Sequence, residues 1–227
     1  MTYASTIKIA GPQNWGIGAL HPWQSAVQGC GLMLHAALDL RMDAAALQAE
    51  FAALDASVVD DERAFMSQDR SWTSIELIRR THADRAGAPK AVLDRLPCVR
   101  RLIDTAGWQV IGCHFMRLPP HGILPWHFEP HAPHLQECRL LTPVHAPSGA
   151  VTLIGDGAVA YPEGTIWTGD FNFPHQVENR SDEQRIVLVF DVVSTDEVLR
   201  LLPPAMIAEP TRRYELAQHA VNLLKSG

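Results

Sequence analysis

The sequence predicts a mainly β fold with flanking helices, an antiparallel sandwich or jelly roll, and two observations carry that expectation. Between residues 108 and 193, short candidate strands follow one another, separated by turn-forming clusters such as Pro147-Ser148-Gly149, Gly155-Asp156-Gly157 and Pro162-Glu163-Gly164. Before and after that stretch, apolar residues recur at helical spacing. A third observation marks where chemistry belongs: seven of the eleven histidines, at 114, 121, 127, 131, 134, 145 and 175, share one 62-residue stretch.

Taken in order, Leu47, Phe51 and Leu54 space as one helical face behind Asp43, a suitable N-cap, so a helix is expected over about 43–55. Thr73 with Glu76 has the form of a capping box, and Ile75, Leu77 and Ile78 make an apolar stripe, which reads as a second helix, although Trp72 to Ile75 could equally be extended. Pro97 suits a first helical turn, and Val99, Leu102 and Ile103 share a face before Gly107, giving a third helix over about 97–106. From Trp108 the period becomes two, with Gly112, His114, Met116 and Leu118 alternating with Ile111, Cys113, Phe115 and Arg117 until Pro119-Pro120. Further strands are expected at about 139–144, 150–154, 158–161, 165–167, 176–178 and 185–193. After Pro203-Pro204, Tyr214, Ala217, Val221 and Leu224 predict a C-terminal helix. The chain thus divides into a mainly helical region, 1–106, a β core, 107–195, and a helical extension, 196–227, within one domain.

Composition narrows the function. With 227 residues, 47% of them apolar, the chain can build a sizeable core. Its 25 acidic against 19 basic residues leave a formal charge of −6, which argues against nucleic acid as a partner. No apolar run approaches the length of a membrane span and no leader-like segment opens the chain, so a cytoplasmic location is expected. Cysteines at 30, 98, 113 and 138 form no metal or disulfide pattern.

The sharpest constellation is His127-Phe128-Glu129 with His175 further on. Residues i and i+2 of a strand share a face, so His127 and Glu129 can grip one ion and His175 can complete a facial set, leaving three coordination positions open as a non-haem Fe(II) oxygenase requires. Arg185 opens the strand Arg185 to Asp191, where its fork could meet a carboxylate; a structural ion pair with Asp191 or Glu178 is the competing reading. His114 and Arg117 lie on opposite faces of their strand, so at most one enters the cavity. Trp72, Trp126 and Trp167 are core or substrate-stacking residues, and His131, His134 and His145 sit in a proline-rich loop that could border the mouth or take up adventitious zinc at His131-x-x-His134.

Together with these residues, Arg117-Leu118-Pro119-Pro120, Ile123-Leu124-Pro125-Trp126, Arg139-Leu140-Leu141-Thr142-Pro143-Val144, Gly164-Thr165-Ile166-Trp167 and His175-Gln176-Val177-Glu178-Asn179 are similar, in order and spacing, to the aspartyl/asparaginyl β-hydroxylase-like group of Fe(II)/2-oxoglutarate dioxygenases, which includes bacterial free-proline hydroxylases. The resemblance covers about residues 97–193. It implies a double-stranded β-helix of the cupin-like jelly-roll kind, Fe(II) held by His127, Glu129 and His175, and 2-oxoglutarate paired with Arg185 and touched by Arg139. It further implies hydroxylation by O2 of a free amino acid or an amino-acid-derived metabolite, with Arg117, His114, Trp126 and Trp72 as candidate substrate contacts. Two departures stand out: Glu129 occupies a position more often aspartate, and Leu141 stands where many members carry a histidine. A metal-dependent cupin-type enzyme without 2-oxoglutarate, or a non-catalytic small-molecule sensor on the same barrel, are the alternatives; the first would have no use for Arg185.

Overall fold

The computed structural model describes residues 21–59, 63–65, 72–81 and 86–226. Twelve strands are seen among them: β1 (His35–Arg41), β2 (Arg63–Phe65), β3 (Thr73–Arg80), β4 (Gly87–Pro89), β5 (Val110–Leu118), β6 (Ile123–His127), β7 (Glu137–His145), β8 (Ala150–Ile154), β9 (Gly157–Val159), β10 (Thr165–Gly169), β11 (His175–Asn179) and β12 (Arg185–Val193). The helices are α1 (Pro22–Val27), α2 (Ala44–Asp55), α3 (Pro97–Ala106), α4 (Asp196–Leu199) and α5 (Pro210–Ser226). An eight-stranded sheet runs β1-β10-β7-β12-β5-β3-β2, with β4 also on β3, and faces a four-stranded sheet β6-β11-β8-β9. The two antiparallel sheets and their flanking helices form the expected jelly roll.

The central strand β12 shows how the layers are built. Ile186, Leu188, Phe190 and Val192 point to one core, shared with Leu47, Phe51, Leu54, Val99 and Leu102 of α2 and α3. Val187 and Val189 point the other way, into a second core between the sheets that also takes Trp23, Phe173, Ala217, Ala220 and Leu224. This strict alternation places Arg185 and Asp191 on the inter-sheet side with Val187 and Val189. On β5, Phe115 faces the helices and meets Phe51 edge-on, with ring centroids 4.9 Å apart. Phe115→Ala is therefore expected to cost roughly 3–5 kcal/mol of stability, measured by urea unfolding; a loss under about 1 kcal/mol would show that this layer does not hold the sheet.

Local signals explain most element ends. The Ala46 amide donates to the Asp43 carboxylate at 3.1 Å, capping α2. Pro97 opens α3, and Gly107 closes it in the left-handed conformation at φ 67°, which a side chain would resist. The stretch expected as a second helix is instead β3. A register shift at Glu76/Ile78 inserts Leu77 as an extra residue against β5, so Leu77 and Ile78 are both buried and the strand imitates helical spacing. The N-terminal region is likewise not mainly helical among its described residues: β1 to β4 extend the large sheet beside α1, α2 and α3. No helix among the described residues is long and apolar enough to cross a membrane.

Candidate metal and cosubstrate site

The site starts from an edge. β6 borders the small sheet, which is where a strand tolerates Pro125, and the pairing of β6 with β11 shifts register beside that proline. The shift brings His127 and His175 directly opposite each other, with ring centroids 4.0 Å apart. Glu129 lies beyond the end of β6, not within a strand, and its amide donates to the Phe171 carbonyl at 2.9 Å, which fixes the turn that returns its side chain to the histidines. One ligand atom each from His127, Glu129 and His175 lies within 4.8 Å of the others, and all three residues are buried.

The ring nitrogens are already sorted. Nδ1 of His127 faces the Pro125 carbonyl at 2.7 Å, and Nδ1 of His175 faces the Phe173 carbonyl at 3.0 Å. A carbonyl only accepts, so each Nδ1 carries its proton and each Nε2 keeps a lone pair for a metal. Burial pushes both imidazoles below the usual histidine range, and their mutual repulsion lowers His175 further, so both are neutral at pH 7. Burial opposes the charged form of Glu129, yet Arg139 above all, then His175, His131 and His127, hold its carboxyl at about 2. Two neutral imidazoles and one carboxylate fit a divalent ion with open positions.

Arg185 begins β12 beside a cavity of about 370 Å³ bordered by Thr152, Tyr161, Trp167 and Val187. Its Nη2 donates to the Thr152 hydroxyl at 3.2 Å, and no carboxylate of the described residues pairs with it. The competing ion pairs are taken elsewhere: Asp191 binds Arg139 at 2.7 Å, and Glu178 accepts from Arg180 at 2.6 Å. Burial lowers Arg185 to about 10, which leaves it charged at pH 7 and in want of an anion.

Other sequence-derived candidates are placed differently. Arg139, expected at the cosubstrate, gives Nε and Nη2 to Asp191 and Nη1 to Glu129. Arg117 faces the helices, where it pairs with Asp55 and covers the Phe51 ring at 5.8 Å, so it is outside the cavity. His114 takes the inter-sheet side: it lies opposite Val189, as does Leu141 on the other flank, and burial pushes it to about 4. Trp126 packs edge-on against Trp23 of α1 at 4.7 Å, which makes it a wall between sheet and helix. Trp72 stands half-buried just before β3. His131 and His134 do not act as a pair: His131 lies 3.9 Å from the Glu129 carboxylate, whereas His134 faces Asp170, the buried partner of Arg213. Asp191 and Thr152 were missed as site residues; Asp191 was open to discovery, because it shares the face of Arg185 by the period of two.

Asp55 accepts from both Arg63 and Arg117, which outweigh its burial and hold its carboxyl below the usual range. A carboxyl depressed in the folded state adds stability that is present above its unfolded pKa near 4 and is lost as pH falls below it. Asp55→Asn should therefore lower Tm at pH 7 and flatten the fall of Tm between about pH 5 and 3; an unchanged acid slope would mean the two arginines hold no charged partner there.

With the geometry in place, the comparisons decide the family. The family model described as aspartyl/asparaginyl β-hydroxylase matches residues 37–195, most of the chain. The chain belongs to the aspartyl/asparaginyl β-hydroxylase family. As a member of that family of Fe(II)- and 2-oxoglutarate-dependent oxygenases it is an enzyme whose cofactors are Fe(II), 2-oxoglutarate and O2. Among solved structures, an oxidoreductase of the 2OG-Fe(II) oxygenase family from Burkholderia pseudomallei superposes with a TM-score of 0.53 at 13% identity, over 81% of this chain and 94% of that one. A viral collagen prolyl hydroxylase from Paramecium Bursaria Chlorella virus-1 aligns with a TM-score of 0.44 at 10% identity, over 70% of this chain and 96% of that one. At 13% identity the likeness to the Burkholderia pseudomallei oxidoreductase speaks for the fold alone. Comparison with curated protein sequences finds no match.

Proposed function

We propose that this β-hydroxylase family member hydroxylates an unactivated C–H bond of a free amino acid or an amino-acid-derived metabolite, with the metal held by His127, Glu129 and His175 and the far carboxylate of 2-oxoglutarate held by Arg185. The observation that carries the reading is the pairing of a metal-competent triad with a buried guanidinium that lacks a carboxylate partner among the described residues. When bound, Fe(II) couples the oxidation of 2-oxoglutarate by O2, to succinate and CO2, to delivery of the second oxygen atom into the substrate C–H bond.

The residues of the chain bind, orient and exclude water. The fork of Arg185 matches a carboxylate in two parallel hydrogen bonds, and the Thr152 hydroxyl beside it offers a third polar contact. Val187 and Trp167 line the cavity with apolar surface, which strengthens that pairing by keeping water away. Tyr161, whose hydroxyl lies 2.9 Å from Nδ1 of His35, is steadied as part of the same wall. His114, neutral and on the inter-sheet face, is one candidate polar contact for a small substrate.

The test is succinate formation from 2-oxoglutarate with Fe(II) and ascorbate across a panel of free amino acids. Substrate-dependent succinate is expected. A product formed without 2-oxoglutarate would favour the cupin-type alternative, and metal-loaded protein inert to every panel member would remove the amino-acid substrate class.

A further inference from the structure

We propose that Arg139 is a positioning residue for the metal-binding carboxylate: anchored by Asp191, it fixes where the longer glutamate side chain at 129 presents its oxygens. The inference rests on the metal site proposed above. Asp191 and Arg139 are direct cross-strand partners on β12 and β7, joined by two bonds, Nε to Oδ1 at 2.7 Å and Nη2 to Oδ2 at 3.2 Å. The Thr168 hydroxyl donates to the Arg139 carbonyl at 2.8 Å, so the arginine is tied at both its backbone and its fork. The remaining Nη1 donates to Oε2 of Glu129, which lies 4.0 Å from Nε2 of His175.

The two carboxylates come from different sheets. Asp191 belongs to the large sheet, whereas Glu129 follows an edge strand of the small one. With its backbone fixed at the Phe171 carbonyl, Glu129 retains only side-chain freedom, and one more rotatable bond than aspartate would have. A guanidinium held from behind removes that freedom before the metal arrives. Its planar fork can serve two carboxylates at once, which a lysine ammonium cannot do in the same geometry.

The experiment is a Co(II) titration, read by calorimetry and by the visible absorption bands, on wild type, Arg139→Lys, Glu129→Asp and the double variant. Wild type should take one equivalent. Arg139→Lys should weaken Co(II) roughly 10- to 100-fold, as loss of a partner to a metal ligand does, and shift the bands. In Glu129→Asp the carboxylate is drawn back from Arg139, so the double variant should bind no more weakly than Glu129→Asp alone. Losses that multiply in the double variant, or Arg139→Lys indistinguishable from wild type, would overturn the proposal, because the arginine would then only tie β7 to β12. Should Arg139→Lys fail to fold, Asp191→Asn enters the same cycle with the same coupling expected. Wild type that takes up no Co(II) would overturn the metal site and the positioning role together. Coupling without succinate from any amino acid would support the positioning role and overturn only the proposed reaction.

Discussion

His175→Ala should abolish succinate formation and leave a folded protein. His175 sits at the start of β11 opposite His127, and its Nε2 is one of three atoms that can reach a common ion. Losing a partner outside the coordination sphere already weakens metal binding roughly 10- to 100-fold, so losing one of three protein ligands should exceed that. The ring packs against Phe171 at 4.9 Å, and its only described hydrogen bond runs to the Phe173 carbonyl, so the sheet pairing of β11 with β8 survives the change. Iron content after dialysis, succinate yield and a far-UV spectrum check the three parts. Wild-type turnover with a full equivalent of iron would sink the triad.

The second large effect belongs to Arg185. Arg185→Ala should raise the 2-oxoglutarate KM by about 30-fold to several thousandfold, the equivalent of roughly 2–5 kcal/mol for truncating one partner of a buried charge pair. Arg185→Lys should fall between the two, since charge remains and the fork is lost. An unpaired buried charge destabilises the empty protein. The alanine variant should therefore unfold no more easily than wild type without ligand, yet lose the rise in Tm that 2-oxoglutarate gives to any state that binds it. Equal KM values in all three proteins would move the anchor to another residue.

The legibility of the chain varied with how many forces acted on each segment. β5 and β12 were readable because one period of two governs nine residues in each and both faces meet a core. β6 was missed because Pro125 speaks against a strand, and only the sheet edge makes it admissible. β3 was misread because a bulge, which depends on its partner strand, gave Leu77 and Ile78 the look of a helical stripe. In the candidate site, spacing offered His127, Glu129 and His175 as one possible ligand set, and it was the family resemblance that singled them out together with Arg185; the structure brings the three metal candidates within reach of one ion. Arg139 was different: its partners come from β12 and from the turn after β6, and no local pattern records which of several anions a long side chain will choose.

The alternation along β12 also limits how this enzyme can change. Arg185 and Asp191 are six residues apart on one strand face, a span of about 20 Å at roughly 3.3 Å per residue. With the roles proposed above, the strand would work as a ruler whose two marks serve the cosubstrate end and the metal end of the same barrel. A one-residue insertion or deletion between them would reverse one mark relative to the other and bury a charge among Leu188 and Phe190. Length variation is thus barred from this strand during divergence and confined to the loops, so descendants that acquire new substrates should inherit the spacing from 185 to 191 unaltered.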